Sequence, residues 1–166
     1  MAEQGRIILY VEDEESDRFL LERAFKALGF SSALRMVPDG RAAIHYLSGC
    51  GCFTDRNANP LPELVLLDLR IPEFSGFEVL EWIRRQPEYM ALPVIIFSSS
   101  SRQDDRERAK LLTADDFWSK PSNALQYQGL VAKLLQKVNI IPSGPSSAPG
   151  SPQERPAPPR RAPSET

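Results

Sequence analysis

The feature that most constrains this chain is Leu64-Val65-Leu66-Leu67, four aliphatic residues running straight into Asp68 and then a loop that carries Pro72 and Gly76. A run this short and apolar at every position predicts a strand buried on both faces, as in a parallel sheet covered by helices. In such sheets ligands sit beyond the carboxyl ends of the strands, so Asp68 stands at the rim of a crevice and not in the core. A carboxylate there can act as a nucleophile or as a metal ligand.

Two further runs have the same character. Ile7 to Val11 ends in the acids Glu12, Asp13, Glu14 and Glu15, and Pro93 to Phe97 closes on the serines 98 to 101. Ala33 to Val37 is weaker and carries Arg35, as an edge strand would, and the short Asp115 to Ser119 run precedes Lys120-Pro121. Between these runs the period lengthens to that of helices. The first shows Phe19, Leu20, Ala24, Ala27 and Leu28 as its inner stripe, with Gly29 as the stop. Asp39 caps a second bearing Ala43, Ile44 and Leu47, and Ser75 with Glu78 offers a capping box for a third bearing Phe77, Leu80 and Ile83. The fourth, Arg102 to Lys110, is polar except for Ala109 and should be the least firmly held. The last presents Tyr127, Leu130, Val131, Leu134, Leu135 and Val138 as one stripe, which core packing explains.

Five alternations of strand and helix predict an α/β fold with right-handed crossovers. With the three apolar strands in the middle and the two mixed ones outside, the expectation is a flavodoxin-like five-stranded parallel sheet, order 2-1-3-4-5, with five helices on both faces.

At 166 residues the chain holds one domain and an appendage. The expected division is a folded domain over 1–138 and a disordered Pro/Ser/Ala-rich tail over 139–166, with nothing in it like a DNA-binding output domain. A formal net charge of -2 with both signs interspersed argues against nucleic acid as a partner. No apolar run approaches a membrane span and the N-terminus lacks an apolar signal region, so the expected location is cytoplasmic. Cys50 and Cys52 read as ordinary loop thiols, and His45, the one histidine, as a surface residue. The polar stretch Ser48 to Glu63 is long for a connection in an α/β unit, which makes it either mobile or a contact surface.

Bringing the strand ends together defines the candidate site. The first strand delivers Glu12 and Asp13, the third Asp68, the fourth Ser98 and the fifth Lys120. Three carboxylates against one lysine leave a net of about -2 in a small space, which raises proton affinities unless a cation intervenes. A hard dication such as Mg²⁺, or equally Mn²⁺, suits those oxygens. Asp68 can then attack a phosphoryl donor to give an acyl phosphate, with the Lys120 ammonium and Ser98 hydroxyl placed to support the transferring oxygens. A single carboxylate at a strand end is often only a helix cap or a loop residue. Five residues of the right type on four strand ends outweigh that explanation.

In this combination the chain resembles a bacterial response-regulator receiver domain. The marks are Glu12-Asp13, Asp68 with Pro72 and Gly76, Ser98, and Lys120-Pro121, spread over the stretch from Arg6 to Val138. The resemblance implies a phosphorylation-dependent signalling switch of a two-component system, with Asp68 as phosphoacceptor. It implies Asp13 as a direct Mg²⁺ ligand, Glu12 acting through water, and the Arg70 backbone carbonyl as a further ligand. Ser98 and Lys120 would hold the phosphoryl group, Ser98 and Phe117 would form the switch pair, and Lys120-Pro121 sits where the family has a cis peptide.

The long loop and the lack of an output domain are similar to single-domain regulators paired with bacteriophytochrome kinases. The implied partners are a sensor histidine kinase, a downstream protein target, and a second copy docked through the fourth-helix to fifth-helix face. Thr113 departs from the family's glycine before the fifth strand, and Ser98 from its commoner threonine. Two rival readings remain open. A receiver fold kept as a binding module, never phosphorylated, retains the same residues. An aspartate-nucleophile phosphohydrolase of the haloacid-dehalogenase type would carry a second Asp two places after the first, where this chain has Arg70.

Overall fold

A computed structural model describes residues 5–140. Five strands, β1 (Ile8–Val11), β2 (Leu34–Val37), β3 (Leu64–Leu67), β4 (Val94–Ser98) and β5 (Asp116–Ser119), alternate with helices α1 (Glu15–Ala27), α2 (Gly40–Ser48), α3 (Gly76–Arg85), α4 (Gln103–Leu111) and α5 (Ala124–Lys137). The strands pair in parallel in the order β2-β1-β3-β4-β5. The flavodoxin-like arrangement expected from the apolar runs is the one observed. Every residue of β1, β3 and β4 is buried, whereas the outer strands β2 and β5 keep partly exposed positions.

Strand alternation divides the interior into two layers. Leu9, Val11, Val65, Leu67 and Ile96 pack beneath α2 and α3 with Ala43, Leu47, Leu80 and Ile83. Ile8, Tyr10, Leu66, Ile95 and Phe97 face α1 and α5, meeting Leu21, Phe25, Tyr127, Val131 and Leu134. Register then sets the rim. Val11 lies opposite both Val37 and Leu67, and Ser98 opposite Ser119, so the residues that follow each strand emerge at one level.

Two local expectations change, the stripe of α1 and the peptide bond before Pro121. The inner stripe of α1 runs through Leu21, Ala24 and Phe25, and Phe19 is 58% exposed. Turning the helix by one position buries Phe25 at full depth, which removes more apolar area from water than a stripe through Leu20 and Ala27 would. The segment from Ser48 to Glu63 folds back on α2. Arg56 donates through Nη1 to the Tyr46 carbonyl at 2.7 Å and through Nη2 to the Leu47 carbonyl at 2.6 Å, while the Tyr46 hydroxyl donates to the Pro60 carbonyl at 2.9 Å. The guanidinium thus adds to the donors on the last helical carbonyls, where the Gly49 amide also reaches Tyr46 and the Tyr89 hydroxyl reaches Leu47. The described peptide bonds are all trans, Lys120–Pro121 included, so the cis bond implied there is not observed.

Thr113 adopts φ +60°, a conformation that is costly for a β-branched residue and that explains why glycine suits this turn. Arg84 holds it: Nε donates to the Thr113 carbonyl at 3.0 Å and to its hydroxyl at 3.1 Å, and Nη1 reaches the Leu92 carbonyl at 2.8 Å. As its polar sequence led one to expect, α4 buries little, with Ala109 as its one buried residue and Leu111 83% exposed. Cys50, Cys52 and His45 are exposed. The tail expected from 139 onward lies, from residue 141, outside the described residues.

Candidate functional site

The site is built by strands that stop together. Glu12 and Asp68 leave β1 and β3 side by side, their amides donating to the Val37 and Val11 carbonyls, each at 3.1 Å. The Lys120 amide likewise continues the β4–β5 ladder, donating to the Ser98 carbonyl at 3.0 Å. Behind Asp68 the chain doubles back so tightly that a Cβ on Gly76 would come within 2.2 Å of the Asp68 carbonyl oxygen. Only glycine permits the capping box of Ser75 and Glu78 to start α3 there, and α3 in turn fixes the loop below the carboxylate.

Glu12, Asp13 and Asp68 each offer a carboxylate oxygen, and these atoms lie within 4.8 Å of one another. Asp13 is exposed, Asp68 buried, and Glu12 shows no accessible surface. The Lys120 ammonium is inserted into this group. Its Nζ donates to Glu12 Oε2, to Asp68 Oδ2 at 2.8 Å and to Asp17 Oδ2 at 2.6 Å, with the side chain 8% exposed. Asp68 Oδ1 also accepts from the Arg70 amide at 3.4 Å, which brings the backbone of that loop residue to the carboxylate.

Burial pushes the Glu12 carboxyl up to about 7, with the Asp68 charge adding to the rise and the bonds from Lys120 and the Glu14 amide opposing it. Burial works against the Lys120 ammonium as well, yet its bonds to Asp17, Asp68 and Glu12 carry it above the ordinary lysine range. The Tyr10 hydroxyl, donating to Glu12 Oε2 at 3.0 Å, is driven upward by burial and by that neighbouring charge. An all-oxygen carboxylate set of this kind fits a hard dication, and Glu12, Asp13 and Asp68 are the residues that would hold it.

The structure brings five of the seven residues singled out from the sequence to one place, counting the Arg70 backbone. The other two, Ser98 and Phe117, take different partners. Ser98 Oγ is buried and accepts from the Ser100 amide at 3.2 Å; it makes no bond to Asp68. Phe117 is half-buried on β5 with the Arg106 guanidinium 4.5 Å above its ring.

Asp17 and Arg106 escaped the sequence, and Ser100, which stands where the receiver family tunes the lifetime of its acyl phosphate, takes partners the sequence could not give. Asp17 looks there like an ordinary acid in the first turn of a helix. Ser100, whose hydroxyl donates to Asp105 Oδ2, joins the Ser98 strand end to the first turn of α4. Arg106 also donates to Ser119 Oγ at 3.0 Å, tying α4 to β5.

A family model described as the response regulator receiver domain matches residues 8–132. Response regulator Rcp1 of Synechocystis is 34% identical over 139 residues, covering 81% of this chain and 92% of that protein. The crystal structure of the Mn²⁺-bound form of Rcp1 matches 79% of this chain and 92% of its own with a TM-score of 0.67 at 29% identity. The phosphorylated cyanobacterial phytochrome response regulator RcpA gives a TM-score of 0.72 at 29% identity, over 80% of this chain and 92% of that one. The bacteriophytochrome response regulator RtBRR gives 0.66 at 30% identity, over 79% and 78% of the two chains.

Proposed function

Because the chain belongs to the response regulator receiver family, we propose that it works as a switch set by phosphorylation of Asp68. Receiver domains of two-component systems take their phosphoryl group from sensor histidine kinases, and similarity to RcpA and RtBRR favours a bacteriophytochrome-type kinase as the donor here. An Asp68 oxygen attacks phosphorus as the P–N bond of the donor phosphohistidine, protonated on its other ring nitrogen, breaks, leaving an acyl phosphate on the chain and a neutral imidazole on the kinase. Glu12, Asp13, Asp68 and the Arg70 carbonyl would hold Mg²⁺, with Mn²⁺ serving as well. When bound, such a dication neutralises charge on the transferring oxygens. Lys120 donates to the phosphoryl group from the β5 side and Ser98 from the end of β4. The chain's own covalent chemistry is confined to gaining and losing this group.

Output follows from the polar chain behind Ser98. Turning the hydroxyl toward the phosphoryl group withdraws the acceptor of the Ser100 amide, and Ser100 is bonded to Asp105 of α4. Phe117 then moves into the space Ser98 leaves, so α4, β5 and α5 form the face that a downstream protein or a second copy reads. The receiver unit ends near residue 138, the Pro-rich remainder acts as a tail, and the protein works in the cytoplasm. No helix among the described residues is long and apolar enough to cross a membrane.

The observation that carries this reading is the convergence of Glu12, Asp13 and Asp68 within 4.8 Å around one buried lysine. Incubation with acetyl phosphate and Mg²⁺ followed by intact-mass measurement should add one phosphoryl group to the wild type and none to Asp68→Asn. An unmodified wild type would instead support a binding module, and steady phosphate release from added monoesters a hydrolase.

A further inference from the structure

We infer that Asp17 is a positioning residue for Lys120: it holds the ammonium toward α1 while Asp68 is unmodified and is the partner given up when a phosphoryl group arrives. This rests on Asp68 being the phosphoacceptor.

The argument begins with donor arithmetic. An ammonium has three N–H donors and no more. Glu12, Asp17 and Asp68 take all three, so none is free for a phosphoryl oxygen. Two of those acceptors are tied to the site. Glu12 has no accessible surface, accepts from Tyr10 and the Glu14 amide, and belongs with Asp68 to the group of three carboxylates. Asp17 lies outside that group. Its side chain is 25% exposed, and among the described residues its one side-chain bond is to Lys120. It also sits in the first turn of α1, where water and the positive end of the helix stabilise a released carboxylate. Asp17 is therefore the partner whose loss leaves the least charge stranded.

It follows that Asp17 and a phosphoryl group compete for one proton donor. Removing Asp17 should tighten the site for a phosphoryl mimic through Lys120 specifically, and not by a general change of charge. The probe is beryllofluoride with Mg²⁺, titrated by calorimetry against the full chain. Asp17→Asn should bind about fivefold more tightly than wild type, a bond to a charged group at a partly exposed position being worth about that much. Asp17→Glu should return toward wild type. Glu15→Gln, an exposed acid two positions away that makes no bond to Lys120, should stay within about twofold. In a Lys120→Ala background, Asp17→Asn should act no differently from Glu15→Gln.

A second measurement needs neither the mimic nor a Lys120 variant. The Lys120 ammonium protons should be protected from solvent exchange in the unmodified wild type, by NMR, and should lose that protection in Asp17→Asn. Equal tightening by Asp17→Asn and Glu15→Gln, an Asp17 effect that persists without Lys120, or unchanged ammonium exchange overturns the inference. Absence of beryllofluoride binding by the wild type would strike the phosphoacceptor reading itself, and this inference with it.

Discussion

Helices α3 and α4 are nearly equal in length and each leaves a strand end at the site, yet they are held by opposite means. In α3 five residues are buried, Gly76, Phe77, Val79, Leu80 and Ile83, behind a complete capping box. In α4 only Ala109 is buried, and no side chain caps its N-terminus. What holds α4 is polar: Ser100 to Asp105, Arg106 to Ser119 and the Phe117 ring, and Arg108 4.3 Å above the Phe77 ring. Apolar burial is non-directional and hard to undo, whereas a few polar contacts at a surface can be exchanged for others at small cost. The strand end with Asp68 leads into the deeply buried helix, and the one with Ser98 into the helix held by polar contacts.

The contrast breaks first at Leu80. Leu80→Ala removes a side chain with no accessible surface and should cost about 2–5 kcal/mol in urea unfolding. If α3 tolerated that change with a loss under about 1 kcal/mol, it would not be the anchor that the burial pattern implies.

The charged half of the site should report next, through pH. The Glu12 carboxyl titrates near 7 in the folded chain against an ordinary 4.5. Between those values the folded state keeps a proton that the unfolded state has lost, so metal-free stability should fall as pH rises from about 5 to about 7, by on the order of 2 kcal/mol. Glu12→Gln should flatten this slope. Millimolar Mg²⁺ should do the same in the wild type, because a dication favours the deprotonated carboxylate. Urea midpoints measured across the range with and without EDTA give both comparisons.

The sequence disclosed the buried strands and the residues that end them far better than the side-chain pairs between elements, for a physical reason. A strand buried on both faces must be apolar throughout, so β1, β3 and β4 and the polar residues that end them stand out without any knowledge of neighbours. Capping boxes are equally local, and Ser75 with Glu78 was visible as one. The stripe of α1 was not settled by its residues, because Phe19, Leu20, Leu21, Ala24, Phe25 and Leu28 support more than one helical face. The bonds of Asp17 to Lys120 and of Arg56 to the end of α2 join side chains whose partners are fixed only once the chain is folded. Local pattern carries no information about such pairs.

On the α4 side the effects should be smaller, and their location matters more than their size. Ser100→Ala removes the hydroxyl that donates to Asp105 and accepts from the Arg102 amide at 3.3 Å. The expected loss is about 1 kcal/mol. It should appear in hydrogen exchange as faster opening of α4 amides, with those of α3 unchanged.

The smallest expected effect is the most diagnostic. Leu111 belongs to α4 but is 83% exposed, so Leu111→Ala removes a side chain that water already surrounds. The stability change should stay within about 0.5 kcal/mol, against several for Leu80→Ala. A leucine so placed on a helix with almost no buried face contributes little to folding, and it lies on the face proposed to be read after phosphorylation. If Leu111→Ala lowered stability as much as Leu80→Ala, α4 would be packed as firmly as α3, and the contrast between a deeply buried helix and one held by polar contacts would fail. If stability is unchanged while phosphorylation-dependent association of the chain, read by analytical ultracentrifugation with acetyl phosphate and Mg²⁺, is weakened, then Leu111 acts on the readout face and not in the core.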